Sequence, residues 1–123
     1  DHCRAIWHVV QHGETGQMYN VGGNSERTNL EVVDTLCALL DELVPDSTHR
    51  PHAQLKTFVA DRPGHDWRYA IDPRRIRDEL GFSPEQDFES GLALTLKWML
   101  DNEPWWRAVM DGSYRDWVET QYG

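Results

Sequence analysis

Apolar residues recur at three- and four-residue intervals in several stretches, and each stretch is bounded by a residue that starts or stops a helix. In DHCRAIWHVVQHG, Ala5, Ile6, Val9 and Val10 share one face, which predicts a helix over 2–12 stopped by Gly13. Leu30, Val33, Leu36, Cys37, Leu40 and Leu43 draw the clearest stripe, and Thr28-Asn29-Leu30-Glu31 before it has capping-box spacing. That helix should end before Pro45. Asp72 as cap, Pro73 at the first helical position and Gly81 as stop frame a short helix over 73–80. Phe88–Asn102, with Leu92, Leu96, Trp98 and Met99, predicts a longer one. After Pro104 two short helical pieces follow, broken near Asp111-Gly112, the second opening at Ser113-Tyr114-Arg115-Asp116.

Two segments lack the helical period. Gln17–Val21 (QMYNV), stopped by Gly22-Gly23, and Leu55–Ala60 (LKTFVA) read as short strands, with Asp46–Gln54 as a polar loop between helix and strand. Two strands among five or six helices cannot build a doubly wound sheet. The expected fold class is α/β, in the form of a helix-rich, α+β-like region that belongs to a larger protein.

Composition agrees with a single docking domain over residues 1–123. Hydrophobic content of 39% and a mean hydropathy of −0.69 are low for a self-sufficient core, although six Trp, four Tyr and three Phe partly compensate. A net charge of −9 argues against nucleic-acid or anionic-membrane binding and leaves room for a small phosphorylated ligand held by local donors. Only Lys56 and Lys97 are lysines, so the positive charge is nearly all guanidinium, which suits two-pronged phosphate contacts. Cys3 and Cys37 do not suggest a disulfide scaffold, no apolar run reaches membrane-spanning length, and the charged opening DHCRAIWHVVQHGE is not expected to act as a signal peptide. The cytoplasm is the expected location.

No catalytic, cofactor or metal residue is assigned. The run GETG at 13–16 precedes a strand candidate instead of opening a helix, and there is no P-loop, Tyr-x-x-x-Lys, G-x-S-x-G or H-E-x-x-H. His8 and His12 have metal-ligand spacing, with His2 and Cys3 nearby, but no third and fourth ligands support them, and a solvated helix face is the simpler reading. Trp98, Trp105, Trp106 and Trp117 fit helix faces packing inward better than a stacking platform.

The segment DRPGHDWRYAID concentrates what remains. Arg62, His65 and Arg68 surround a Pro63-Gly64 turn; Arg62 and His65, three apart, could converge on one anion while Gly64 lets backbone approach it. Asp61 could orient Arg62 or accept a sugar hydroxyl. A plain turn with a surface ion pair, Asp61–Arg62 or Asp66–Arg68, accounts for the same residues equally well.

Nearly the whole chain resembles the C-terminal third of the dTDP-glucose 4,6-dehydratases, which are extended short-chain dehydrogenases/reductases. The matching blocks are the opening Asp1-His2 with its helix, TGQMYNVGG (15–23), Asn29, LLDELVP (39–45), VADRPGHDWRYAID (59–72), ELGFSP (79–84), FESGL (88–92) and GSYRDWVETQYG (112–123). The resemblance implies a Rossmann domain that binds NAD, outside this chain, and a smaller domain that holds the dTDP-sugar. It also implies that Asn29, Asp61, Arg62, Pro63, Gly64, His65 and Tyr122 line the substrate site. The family's glycine-rich loop, Tyr/Lys pair and acid–base carboxylates have no counterpart here, so the chain alone is expected to be inactive. A stand-alone nucleotide-sugar-binding module, or one that self-associates through exposed apolar helix faces, is the alternative.

Overall fold

The computed structural model describes residues 1–61, 63–112 and 120. Among these residues five α-helices follow one another: α1 (His2–His12), α2 (Asn29–Leu43), α3 (Arg74–Leu80), α4 (Phe88–Asp101) and α5 (Glu103–Met110), with a 3₁₀ turn at His52–Leu55 between α2 and α3. The second helical piece expected after α5, from Ser113, lies outside the described residues, as does Trp117.

Local chemistry sets most of the boundaries. Thr28 Oγ1 accepts from the Glu31 N–H at 3.1 Å and Glu31 Oε2 accepts from the Thr28 N–H at 2.7 Å, so two otherwise orphaned donors at the start of α2 are satisfied. Asp87 and Ser90 make the same reciprocal pair at α4, which the sequence pattern hides because the third helical residue is Ser and not Glu or Gln. At α3 the Asp72 carboxylate accepts from the Arg74 N–H at 3.0 Å, and the helix begins one residue later than expected, after Pro73. Gly81 ends it in the left-handed region at φ +73°, with its N–H donating to Arg77 at 2.9 Å.

The core is small and local. Ala5 of α1, Ile76 of α3 and Phe82 are buried together, with Val9, Tyr19, Val21 and Leu80 packed around them. His8 bonds the Leu80 carbonyl through Nε2 at 2.7 Å and lies 5.7 Å from the Phe82 ring, which ties α1 to the end of α3. Beyond this wedge, α2 packs against the 3₁₀ turn and α4, and α5 folds back on α4. Of the expected apolar face of α1, Ala5 and Val9 pack inward while Ile6 and Val10 remain exposed.

Neither expected strand forms among the described residues. A strand needs a neighbour to take its N–H and C=O groups. The 17–21 segment instead lies against α3, where Arg75 donates to the Met18 carbonyl at 3.3 Å and to Gln17 at 2.9 Å and covers the Tyr19 ring. Leu55 joins the 3₁₀ turn, and the run after it leaves Phe58 and Val59 exposed at 84% and 85%. The missing helical period correctly marks both runs as outside the α-helices, but neither has a partner among the described residues to complete a ladder.

Candidate functional site

Two short segments, far apart in sequence, meet at one open cavity. The first is the approach to α2, where the capping box fixes Thr28 and places Asn29 as the first helical residue. The second follows the Pro63-Gly64 turn, in which Gly64 takes φ +72°, a conformation that a side chain would strain. The cavity between them, of about 480 Å³, is lined by Glu26, Arg27, Asn29 and Glu31 on one side and by His65, Asp66, Trp67, Arg68 and Tyr69 on the other.

Of the seven residues expected to form the site, Asn29 and His65 line this cavity together. Asp61, Pro63 and Gly64 form the adjoining turn, and Asp61 bonds His65 across it, Oδ1 to Nδ1 at 2.8 Å. That bond orients the imidazole, which is half-buried while its partner is exposed. Arg62 and Tyr122 lie outside the described residues.

The described charges at the cavity are engaged, some with one another and some with residues outside it. Arg68 meets Glu26 with Nε at 2.7 Å and Nη2 at 2.5 Å, both on Oε2, and so bridges the two segments. Arg27 reaches Glu89 at 3.3 Å and sits 5.4 Å over the Phe88 ring. Tyr69 donates to Asp66 at 2.7 Å, which pushes the phenol above its ordinary value. Glu31 is held below the usual carboxylate range by the Thr28 backbone N–H and then by its hydroxyl. The surface pair Asp66–Arg68 considered from the sequence is therefore replaced by Asp66–Tyr69 and Glu26–Arg68.

Sequence reasoning does not single out Glu26, Arg27, Trp67 or Tyr69. The available signal is a charged dipeptide, Glu26-Arg27, directly before a helix cap, together with a Trp that is fully exposed in the structure.

Other clusters resolve into structural roles. His8 and His12 stack edge to face at 4.6 Å, and His8 serves the α1–α3 contact described above. His52 bonds Asp41 through Nδ1 at 2.5 Å and Ser47 through Nε2 at 3.1 Å, pinning the loop after α2 back onto that helix. The His52 backbone N–H, followed by the ring, holds Asp41 below its ordinary pKa. Trp98 and Trp105 pack on each other at 5.2 Å but stay 45% and 62% exposed, so the inward packing expected of the tail does not hold for this pair.

The family model described as GDP-mannose 4,6 dehydratase matches residues 1–95. A dTDP-glucose 4,6-dehydratase of Neisseria meningitidis serogroup B is 52% identical over 117 residues, covering 94% of this chain and 33% of that protein. One from Xanthomonas campestris pv. campestris strain B100 is 53% identical over 115 residues with the same coverage. The chain thus spans about a third of the length of the curated relatives it matches. The crystal structure of dTDP-glucose 4,6-dehydratase from Bacillus anthracis in complex with NAD superposes with a TM-score of 0.70 at 39% identity, over 86% of this chain and 30% of that one.

Proposed function

This chain belongs to the GDP-mannose 4,6 dehydratase family, and from that premise we propose that it is the nucleotide-sugar-holding part of a dTDP-glucose 4,6-dehydratase. In this reading an NAD-binding Rossmann domain forms the rest of a longer polypeptide and supplies the hydride chemistry that turns dTDP-glucose into dTDP-4-keto-6-deoxyglucose. The carrying observation is the meeting of Asn29 and His65 in one cavity, within a chain about half identical to dTDP-glucose 4,6-dehydratases.

The residues present suit holding better than reacting. Asn29 stands at the first turn of a fifteen-residue helix, where unpaired N–H groups and the helix dipole favour an anion. With Nδ1 engaged by Asp61, Nε2 is the His65 nitrogen that would meet the diphosphate. Arg62 adds a charge-assisted contact, about twice as strong as a neutral hydrogen bond, and Tyr122 closes the site from the tail; both assignments rest on the resemblance. Among the described residues no three His, Cys, Asp or Glu side chains are grouped to hold a metal, and no helix is long and apolar enough to cross a membrane.

Calorimetric titration of the 123-residue chain tests the reading. Thymidine diphosphate should bind more tightly than uridine or guanosine diphosphate, and Asn29→Ala, His65→Ala and Arg62→Ala should each weaken it. No NAD-dependent turnover of dTDP-glucose is expected from the chain alone. Equal affinity for all three nucleotides, or turnover without a second polypeptide, would overturn it.

A further inference from the structure

Among the described residues, the cavity contains one cation whose present partner is itself a cavity residue. Arg68 is exposed, and it lends two of its donors to a single oxygen of Glu26, also exposed. Exposed ion pairs of this kind contribute little to stability, because water screens the charges and two long side chains must be immobilised. Arg27, the other guanidinium among the described lining residues, is committed differently: it lies over the Phe88 ring and reaches Glu89, and neither of those is a cavity residue. Of these two, Arg68 is thus the guanidinium more cheaply transferred to an incoming anion, and its planar fork fits a diphosphate better than an ammonium would.

We propose that Arg68 is a diphosphate-binding residue held in reserve by Glu26: the carboxylate caps the guanidinium in the empty cavity and yields it when the ligand's diphosphate arrives. The inference rests on the nucleotide-sugar reading above and adds a residue to it. Glu26 competes with the ligand, so its effect on binding has the opposite sign to that of a brace. If the pair merely held the two segments at the right separation, removing either partner would weaken binding. If Glu26 is a competitor, removing it strengthens binding, and only while Arg68 is present.

The test compares the unsubstituted chain with Glu26→Gln, Arg68→Ala, Arg68→Lys and the double variant Glu26→Gln/Arg68→Ala, titrated with thymidine diphosphate and with inorganic pyrophosphate. Arg68→Ala should weaken both ligands by about tenfold, the size of one charge-assisted hydrogen bond. Glu26→Gln should tighten both several-fold, Arg68→Lys should recover only part of the loss, and the Glu26→Gln gain should vanish on the Arg68→Ala background. Melting temperatures should hardly move in any variant, which separates exchange from unfolding. Weaker binding in Glu26→Gln, or no change in Arg68→Ala, overturns the proposal. If Asn29→Ala and His65→Ala still weaken thymidine diphosphate in that case, the functional reading survives. If the unsubstituted chain binds neither ligand, both fall together.

Discussion

The wedge formed by α1, α3 and Phe82 and the face formed by residues 26–31, 56–61 and 63–69 use similar side chains to opposite ends. In the wedge, Ile76 is 1% exposed and Phe82 is 7% exposed, and each is surrounded by partners from another element. On the site face, Phe58 is 84% exposed and Trp67 is 100% exposed, while polar contacts do the joining: Asp61 to His65, Glu26 to Arg68, and Lys56 to Asp34. The difference teaches where the free energy of folding resides. One region is held by burial and is complete within the chain; the other is held by local caps and surface pairs, and presents apolar area for something else to cover.

The strongest way to break this contrast is at the centre of the wedge. Ile76→Ala removes the largest fully buried side chain among the described residues and should cost about 2–5 kcal/mol in urea unfolding. For so small a core that loss could be most of the stability, and a cost below about 1 kcal/mol would mean the wedge is not the folding centre. Gly81→Ala acts on the same region through the backbone. Its left-handed φ of +73° predicts a loss of about 1–2 kcal/mol although the space around it is open. On the site face, Thr28→Ala should cost about 1 kcal/mol by uncapping α2, and should weaken ligand binding as well because Asn29 follows directly.

Acid should erode both regions gradually. Asp72 is held down to about 2 by the Arg74 side chain and then its N–H, and Asp87 is lowered by Ser90 in the same way. Asp41 and Glu31 are lowered by backbone donors. A carboxylate whose pKa is lower in the folded than in the unfolded state binds fewer protons when folded. Its stabilisation is therefore complete above the ordinary value near 4 and fades as pH falls towards the folded one. Denaturation midpoints should hold level above pH 5 and decline between about pH 4 and pH 2; a flat profile across that window would show these bonds absent in solution. The smallest effect is expected from Phe58→Ser, within about 0.5 kcal/mol for a residue with so little burial. A loss above about 2 kcal/mol would reveal that Phe58 is covered in solution, by a second copy of the chain for example, and concentration dependence of the melting temperature would show which.

Much of the local architecture is legible in the residue pattern. The helix at 2–12, the capping box at Thr28, the left-handed stop at Gly81 and the Pro63-Gly64 turn all depend on residues within about four positions of one another, so the pattern carries them whole. The Asp87–Ser90 box escapes that pattern because Ser at that position is a weaker signal than Glu. Within the site, His65 is singled out by the residue pattern and Asn29 by resemblance, but their shared cavity depends on segments some 36 residues apart.

What the sequence determined by itself is local: where helices start and stop, and that the chain turns at Pro63-Gly64. Each such feature exchanges one backbone hydrogen bond or one dihedral preference for another nearby. Tertiary structure alone decided whether the extended runs became strands and which carboxylate each arginine chose. Glu26 and Arg68 are separated by 42 positions, and with 21 acidic residues in the chain no spacing rule could have matched them. Strand pairing and ion pairing of that range are settled by which surfaces the packed helices bring together, and the pattern along the chain holds no record of that distance.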